Sequence, residues 1–348
     1  MRTAQQFFAR YTRGVHYRDF FRPIGYMVLL SCLVLTAKTQ MLDQSRPLPP
    51  GHLIDIGGYR VHVYCVGQGS PTVMIVGAAF SFDWGLVQPE VAKFTRVCTF
   101  DPSGTAWSDP FSNVKAPLHS QALSSSSVPQ TNPTCSDRVE EIHRVIAAVP
   151  VTGPYVLVGF SVGALWERLY AARYPDRIVG LVIVDHAFLG EAEGKAPPHA
   201  TISSHSSRGY SPPVLLSKAP ITIGFEDDVN FSKLPQRDQE LHKWAMSQDP
   251  IRPGPKMAAD CFSLIDNVYA GRAHPLGDTP VWVISTAKEA PGYRALQAKL
   301  LALSRRSEQV IAWNSSHMVP IDQPEVITKV IHKAVIVGRH EDSKRVTP

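Results

Sequence analysis

From position 52 onward, short apolar blocks alternate with polar turns. Leu53–Ile56 and Tyr59–Val66 (YRVHVYCV) are joined by Gly57-Gly58, and the glycine pair supplies the positive φ of a tight turn, so the stretch predicts a hairpin. Thr72–Val76, Arg96–Phe100, Tyr155–Val158 and Ile178–Val184 are short unbroken apolar runs, which suit strands of a parallel sheet covered on both faces. Cys135–Ala148 instead carries Val139, Ile142, Val145 and Ile146 at helical spacing, and Ala164–Tyr174 reads as a helix closed by Pro175.

The rhythm breaks at Phe188 and resumes near Gly277. Between them a His/Ser/Pro-rich stretch precedes two helical patterns, Pro235–Met246 and Met257–Tyr269, so 188–277 reads as an insertion. Strand Val281–Ser285, helix Tyr293–Leu303, strand Gln309–Trp313 and helix Pro324–Val337 then complete the alternation. The pattern predicts a doubly wound, mostly parallel eight-stranded α/β sheet. The Ser- and Pro-rich stretch Asn113–Pro133 reads as an exposed loop.

The amino-terminal region differs in character. Four of the five excess positive charges of this 348-residue chain lie before residue 23, so the rest is nearly neutral. That balance, with no zinc-finger or RNA-binding motif, argues against a nucleic-acid partner. Ile24–Ala37 carries no charge and follows the basic stretch, the charge order of a segment whose amino terminus stays in the cytoplasm. We therefore expect residues 1–44 to hold a membrane anchor at about 24–37, with the catalytic body in single-pass, extracytoplasmic placement. A cleaved signal with secretion, or a buried amphiphilic helix, are the alternative readings. Residues 45–51 form a Pro-rich linker, 52–338 the main domain and 339–348 a polar tail.

Composition otherwise adds little. Five cysteines show no CxxC pair and no zinc spacing, so neither metal nor cofactor is indicated. A Cys135–Cys261 disulfide is open to an exported chain, but buried free thiols are the preferred reading, above all for Cys65 and Cys98 on strands.

Candidate chemistry centres on Gly159-Phe160-Ser161-Val162-Gly163, a G-x-S-x-G string between a strand and a helix. A strained strand-to-helix turn there would expose the Ser161 hydroxyl and place the Val162 N–H at a helix start, ready for a developing oxyanion. A serine hydroxyl needs a base, and His317, in WNSSHMVPIDQPEVI after the last strand, fits that role.

With these segments, DPSGTAWSD (101–109), FDWGLVQPEV and LYAARYPDRIVGLVIVD, the chain resembles the α/β-hydrolase fold superfamily across about residues 52–338, nearest its small-ester and lipase-like branch. The resemblance implies the elbow serine at Ser161, the late histidine at His317 and a helical cap at 188–277. It leaves the acid open between Asp185, at the end of IVGLVIVD, and Glu289, after VWVISTAK, with Asp185 marginally preferred. It implies a serine hydrolase acting on a small-molecule ester or lipid-like substrate, with Val162 and Ala78 N–H groups binding the oxyanion. Two segments depart from the family pattern: the loop after the third strand reads VGAAF, with one glycine, and Ala106 replaces the usual second glycine of DPSGTAWSD. A catalytically silent fold that binds a ligand or partner is the competing expectation, and a membrane scaffold ranks below it.

Overall fold

The computed structural model describes residues 46–77, 80–111, 132–150, 153–186, 225–248, 250, 255–287 and 291–346. The chain divides into a unit Met1–Leu48 and a unit Pro49–Pro348, and the description below concerns the second.

Eight strands form one sheet: β1 (His52–Asp55), β2 (Arg60–Val66), β3 (Thr72–Gly77), β4 (Val97–Asp101), β5 (Tyr155–Phe160), β6 (Ile178–Val184), β7 (Val281–Thr286) and β8 (Ser307–Ala312). Their order across the sheet is β1-β2-β4-β3-β5-β6-β7-β8. The β1–β2 hairpin and the β2–β4 pair are antiparallel, and every other pair is parallel. β5 and β6 lie centrally with every residue buried, because their apolar side chains alternate into two separate cores. Leu157, Leu181, Ile183 and Val283 join one core, while Val156, Val158, Val182 and Ile284 join the other. A side chain buried this way is worth about 1.5–3 kcal/mol.

The helices are α1 (Gln88–Ala92), α2 (Cys135–Ala148), α3 (Gly163–Arg173), α4 (Gln236–Met246), α5 (Pro255–Tyr269), α6 (Pro291–Lys299), the single turn α7 (Val319–Asp322) and α8 (Pro324–Val346). Residues of α2, α3, α5 and α6 pack into the first core, and those of α1, α7 and α8 into the second. The two helices expected over the site part company: α4 rests on the 3-10 turn Ser81–Trp84, whereas α5 packs on α3 and sends Cys261, Ile265 and Tyr269 into the main core.

Two expectations are corrected. Among the described residues no helix is long and apolar enough to cross a membrane, and the 24–37 segment lies outside them, so the single-pass anchor and the localisation drawn from it have no support. α8 runs on to Val346, and Arg339 donates to the Ser70 and Phe94 carbonyls. The four cysteines among the described residues are bridged: Cys65 joins Cys98 across the β2–β4 pair, and Cys135 joins Cys261, tying α2 to α5. The first bridge depended on pairing that single-strand patterns do not reveal. The expected 113–133 loop is outside the described residues apart from its end.

Candidate active site

The end of β5 delivers the chain into a sharp turn at Ser161, which adopts φ +55°. Left-handed backbone is costly for a residue with a Cβ, and such strain persists where the surroundings over-determine it. Here the Ser161 N–H donates to the Val184 carbonyl at 3.1 Å, and the Ser161 carbonyl accepts from the Ala164 N–H at 3.1 Å as α3 begins. The flanking glycines serve close approach: a Cβ on Gly163 would lie 2.2 Å from the Val76 carbonyl oxygen, and one on Gly159 2.5 Å from the Glu167 carboxyl carbon. The strain of the turn therefore falls on the serine, and the glycines let α3 sit against β3 and β5. Val162 stands at the N-cap of α3, where backbone N–H groups lack intrahelical acceptors.

His317 follows β8 in the loop before α7. Its Nε2 lies 3.0 Å from Ser161 Oγ, and its Nδ1 lies 2.6 Å from Asp185 Oδ2. Asp185 caps β6, is fully buried, and also takes left-handed backbone at φ +38°. Its second oxygen accepts from Gln297 Nε2 at 3.2 Å and from Thr286 Oγ1 at 3.5 Å. A carboxylate only accepts, so His317 donates from Nδ1, and Nε2 is left to accept the Ser161 hydroxyl proton. The Phe160 ring packs 4.9 Å from the imidazole. Sequence reasoning named Ser161, His317 and Asp185, and the structure brings these three together. Glu289 and Ala78, the other named residues, lie outside the described residues.

Asp322 was not singled out from sequence. Its Oδ2 accepts from the Ser316 N–H at 2.7 Å and from Ser316 Oγ at 2.8 Å, and its Oδ1 accepts from Asn230 Nδ2 at 2.5 Å. Burial works to raise its pKa, but the bonds from Ser316, Asn230 and Ser315 outweigh that and hold the carboxyl below its usual range. The histidine loop is thus pinned from α7 and from the 225–248 segment.

The turn after β3 is pinned as well. Asp83 Oδ2 accepts from the Phe80 N–H at 2.8 Å, and Asp101 accepts from the Ser81 N–H at 2.7 Å and from Ser81 Oγ at 3.1 Å. Asp101 is held in turn by His62 Nδ1 at 2.7 Å, while His62 Nε2 accepts from the Gly51 N–H at 3.3 Å. That makes His62 a neutral internal strut. The motif segments around Asp83 and Asp101 do not reveal these bonds, because apart from the one between Asp83 and Phe80 they join distant elements. Among the described residues no group of three or more His, Cys, Asp or Glu side chains is arranged to hold a metal.

The profile of the Alpha/beta hydrolase family matches residues 59–330. The chain belongs to this family. An uncharacterized protein of Schizosaccharomyces pombe is 28% identical over 168 residues, covering 39% of this chain and 28% of that protein. The uncharacterized protein YqjL of Bacillus subtilis is 22% identical over 205 residues, covering 57% of this chain and 64% of that one. The chain thus spans less than two thirds of the length of either relative. Among solved structures, a serine hydrolase involved in carbazole degradation aligns with TM-score 0.53 and 16% identity, covering 82% of this chain and 98% of that one. A thermophilic esterase from Thermogutta terrifontis aligns at 0.51 and 17%, covering 79% and 92%. An epoxide hydrolase aligns at 0.50 and 16%, covering 81% and 96%. Likeness at these identities establishes the fold alone.

Proposed function

We propose that this hydrolase-family chain is a serine hydrolase that cleaves an ester-type acyl bond of a small-molecule or lipid-like substrate. The observation that carries the reading is the unbroken hydrogen-bonded chain from Ser161 Oγ through His317 to buried Asp185. Ser161 attacks the carbonyl while His317 Nε2 takes its proton, and Asp185 holds the ring tautomer and stabilises the imidazolium. The negative oxygen of the tetrahedral intermediate is received by the Val162 N–H at the start of α3 and by the Ala78 N–H. His317 then protonates the leaving group, and water, activated by the same imidazole, releases the acyl-enzyme. The reading takes 52–338 as the hydrolase domain and 188–277 as its insertion.

Epoxide and haloalkane chemistry is disfavoured, because an attacking carboxylate is expected there where this chain carries Ser161. Labelling with a fluorophosphonate probe tests the proposal. Rapid labelling of the wild-type chain, lost in Ser161→Ala and in His317→Ala, is the expected result. A folded wild type that does not label overturns it and favours the silent, ligand-binding reading.

A further inference from the structure

The cap helix α4 and the turn that follows β3 are joined by one buried side chain. His242 Nδ1 lies 2.7 Å from Asp83 Oδ1, and His242 Nε2 lies 2.7 Å from Glu226 Oε2. His242 and Asp83 are buried, and the Phe80, Phe225 and Phe231 rings surround the imidazole at 5.2–6.1 Å. Each ring nitrogen faces a carboxylate oxygen, which only accepts, so both nitrogens must carry protons for both bonds to form. With both carboxyls ionised, the clasp is an imidazolium between two carboxylates. The other oxygen of Asp83 takes the Phe80 N–H, at the point where the chain emerges from the loop after β3. A single carboxylate thus meets α4 on one side and holds the Phe80 N–H on the other.

We propose that Asp83 and His242 are positioning residues for the oxyanion site: the charged His242 locks α4 onto the Ser81–Trp84 turn, and Asp83 passes that constraint to the loop carrying the second oxyanion donor. The inference rests on the serine-hydrolase reading. Buried carboxylates hold the N–H groups of Phe80 and Ser81, where the chain leaves the VGAAF segment.

Burial acts to lower the His242 pKa, but the bonds and charges of Asp83 and Glu226 more than reverse this and raise it above the ordinary histidine value. The other charged groups near the clasp are Asp101 beside Asp83, and Asp238 and Arg237 on α4 itself. Asp238, pushed up to about 6 by burial and neighboured by Asp83, adds negative charge near the clasp once ionised. A raised histidine pKa means the clasp is lost as pH rises through the folded histidine value, and because burial also raises the Asp83 pKa it is lost again in acid as the carboxylates take up protons. The consequence is an alkaline decline in turnover that does not originate in the Ser161–His317 pair.

The test uses the full chain, p-nitrophenyl butyrate turnover and the rate of fluorophosphonate labelling from about pH 6 to about pH 10, with melting curves alongside. Asp83→Ala is expected to lower kcat about 10- to 100-fold with KM within about twofold, below the roughly 10²–10³-fold cost of deleting an oxyanion donor outright. In Asp83→Asn the amide oxygen can still accept from Phe80 while its NH2 donates to a neutral His242. That variant is expected to recover most of the lost kcat and to lack the alkaline decline. His242→Gln is expected to lose kcat and the decline together. The proposal is overturned if all three variants keep wild-type kcat and alkaline decline, or if Asp83→Asn is no better than Asp83→Ala and kcat follows melting temperature alone. A folded wild type that fails to label overturns the hydrolase reading itself, an outcome separate from normal wild-type labelling with unaffected variants.

Discussion

Asp185→Asn changes a single atom at the buried end of the hydrogen-bonded chain. Asp185 Oδ1 accepts from Gln297 and Thr286, while Oδ2 accepts from His317 Nδ1. In the variant the amide oxygen must stay on the Gln297 side, since the opposite orientation would set two NH2 groups against each other. The asparagine NH2 then faces His317 Nδ1, which becomes an acceptor, and the ring proton moves to Nε2, opposite Ser161. An imidazole donating to the serine hydroxyl cannot take its proton. The wrong tautomer is expected to lower kcat about 10³–10⁴-fold, equivalent to about 4–5.5 kcal/mol of barrier. The substitution preserves shape, so KM and melting temperature should change little. Steady-state hydrolysis of p-nitrophenyl butyrate beside a thermal melt is the assay. A folded Asp185→Asn with kcat within about tenfold of wild type refutes the reasoning and shifts the acid role to another carboxylate, with Glu289→Gln the next variant to make.

Three further outcomes follow from the described contacts. The Cys135–Cys261 bridge closes a span of 126 residues between α2 and α5, so replacing both cysteines with serine should cost about 2–4 kcal/mol in a urea melt; a loss under about 0.5 kcal/mol contradicts this. Glu167 is fully buried under Gly159, and desolvation raises its pKa well above the usual value, with the Arg168 charge and the Gly159 backbone N–H offsetting only part of that. A raised carboxyl pKa gives stability that is complete below the unfolded value and drains as pH climbs towards the folded one, so Glu167→Met should gain about 1–3 kcal/mol at about pH 8 and less in acid. A gap independent of pH would refute the sign. Ala106 takes φ +45°, left-handed backbone for a residue with a Cβ, so Ala106→Gly should stabilise the fold by up to about 1 kcal/mol after the entropy gained by the unfolded chain, and a loss beyond about 1 kcal/mol would count against it.

The sheet was legible because its central strands are unbroken apolar runs, and Ile178–Val184 and Cys135–Ala148 have the ends that the pattern predicts. Ser161 was legible because a G-x-S-x-G string sat between a strand and a helix, and His317 because it followed the last strand. The partners that brace the site were not legible. His242 and Asp83 are 159 positions apart and meet only through the seating of α4, and Asn230 reaches Asp322 across 92 positions. Cys65 and Cys98 look like ordinary strand thiols until the antiparallel β2–β4 register sets them opposite each other. The amino-terminal reading is left without support, because the 24–37 run lies outside the described residues and has the charge order of an anchor without the length to establish one.

The central claim is a covalent acyl-enzyme on Ser161, and mass spectrometry of the chain mixed rapidly with p-nitrophenyl butyrate, then acid-quenched and digested, tests it most directly. The account expects a butyryl adduct on the peptide containing Ser161, appearing with the first burst of p-nitrophenol and absent from Ser161→Ala. A burst with the adduct on another residue, or turnover that persists in Ser161→Ala, would contradict it.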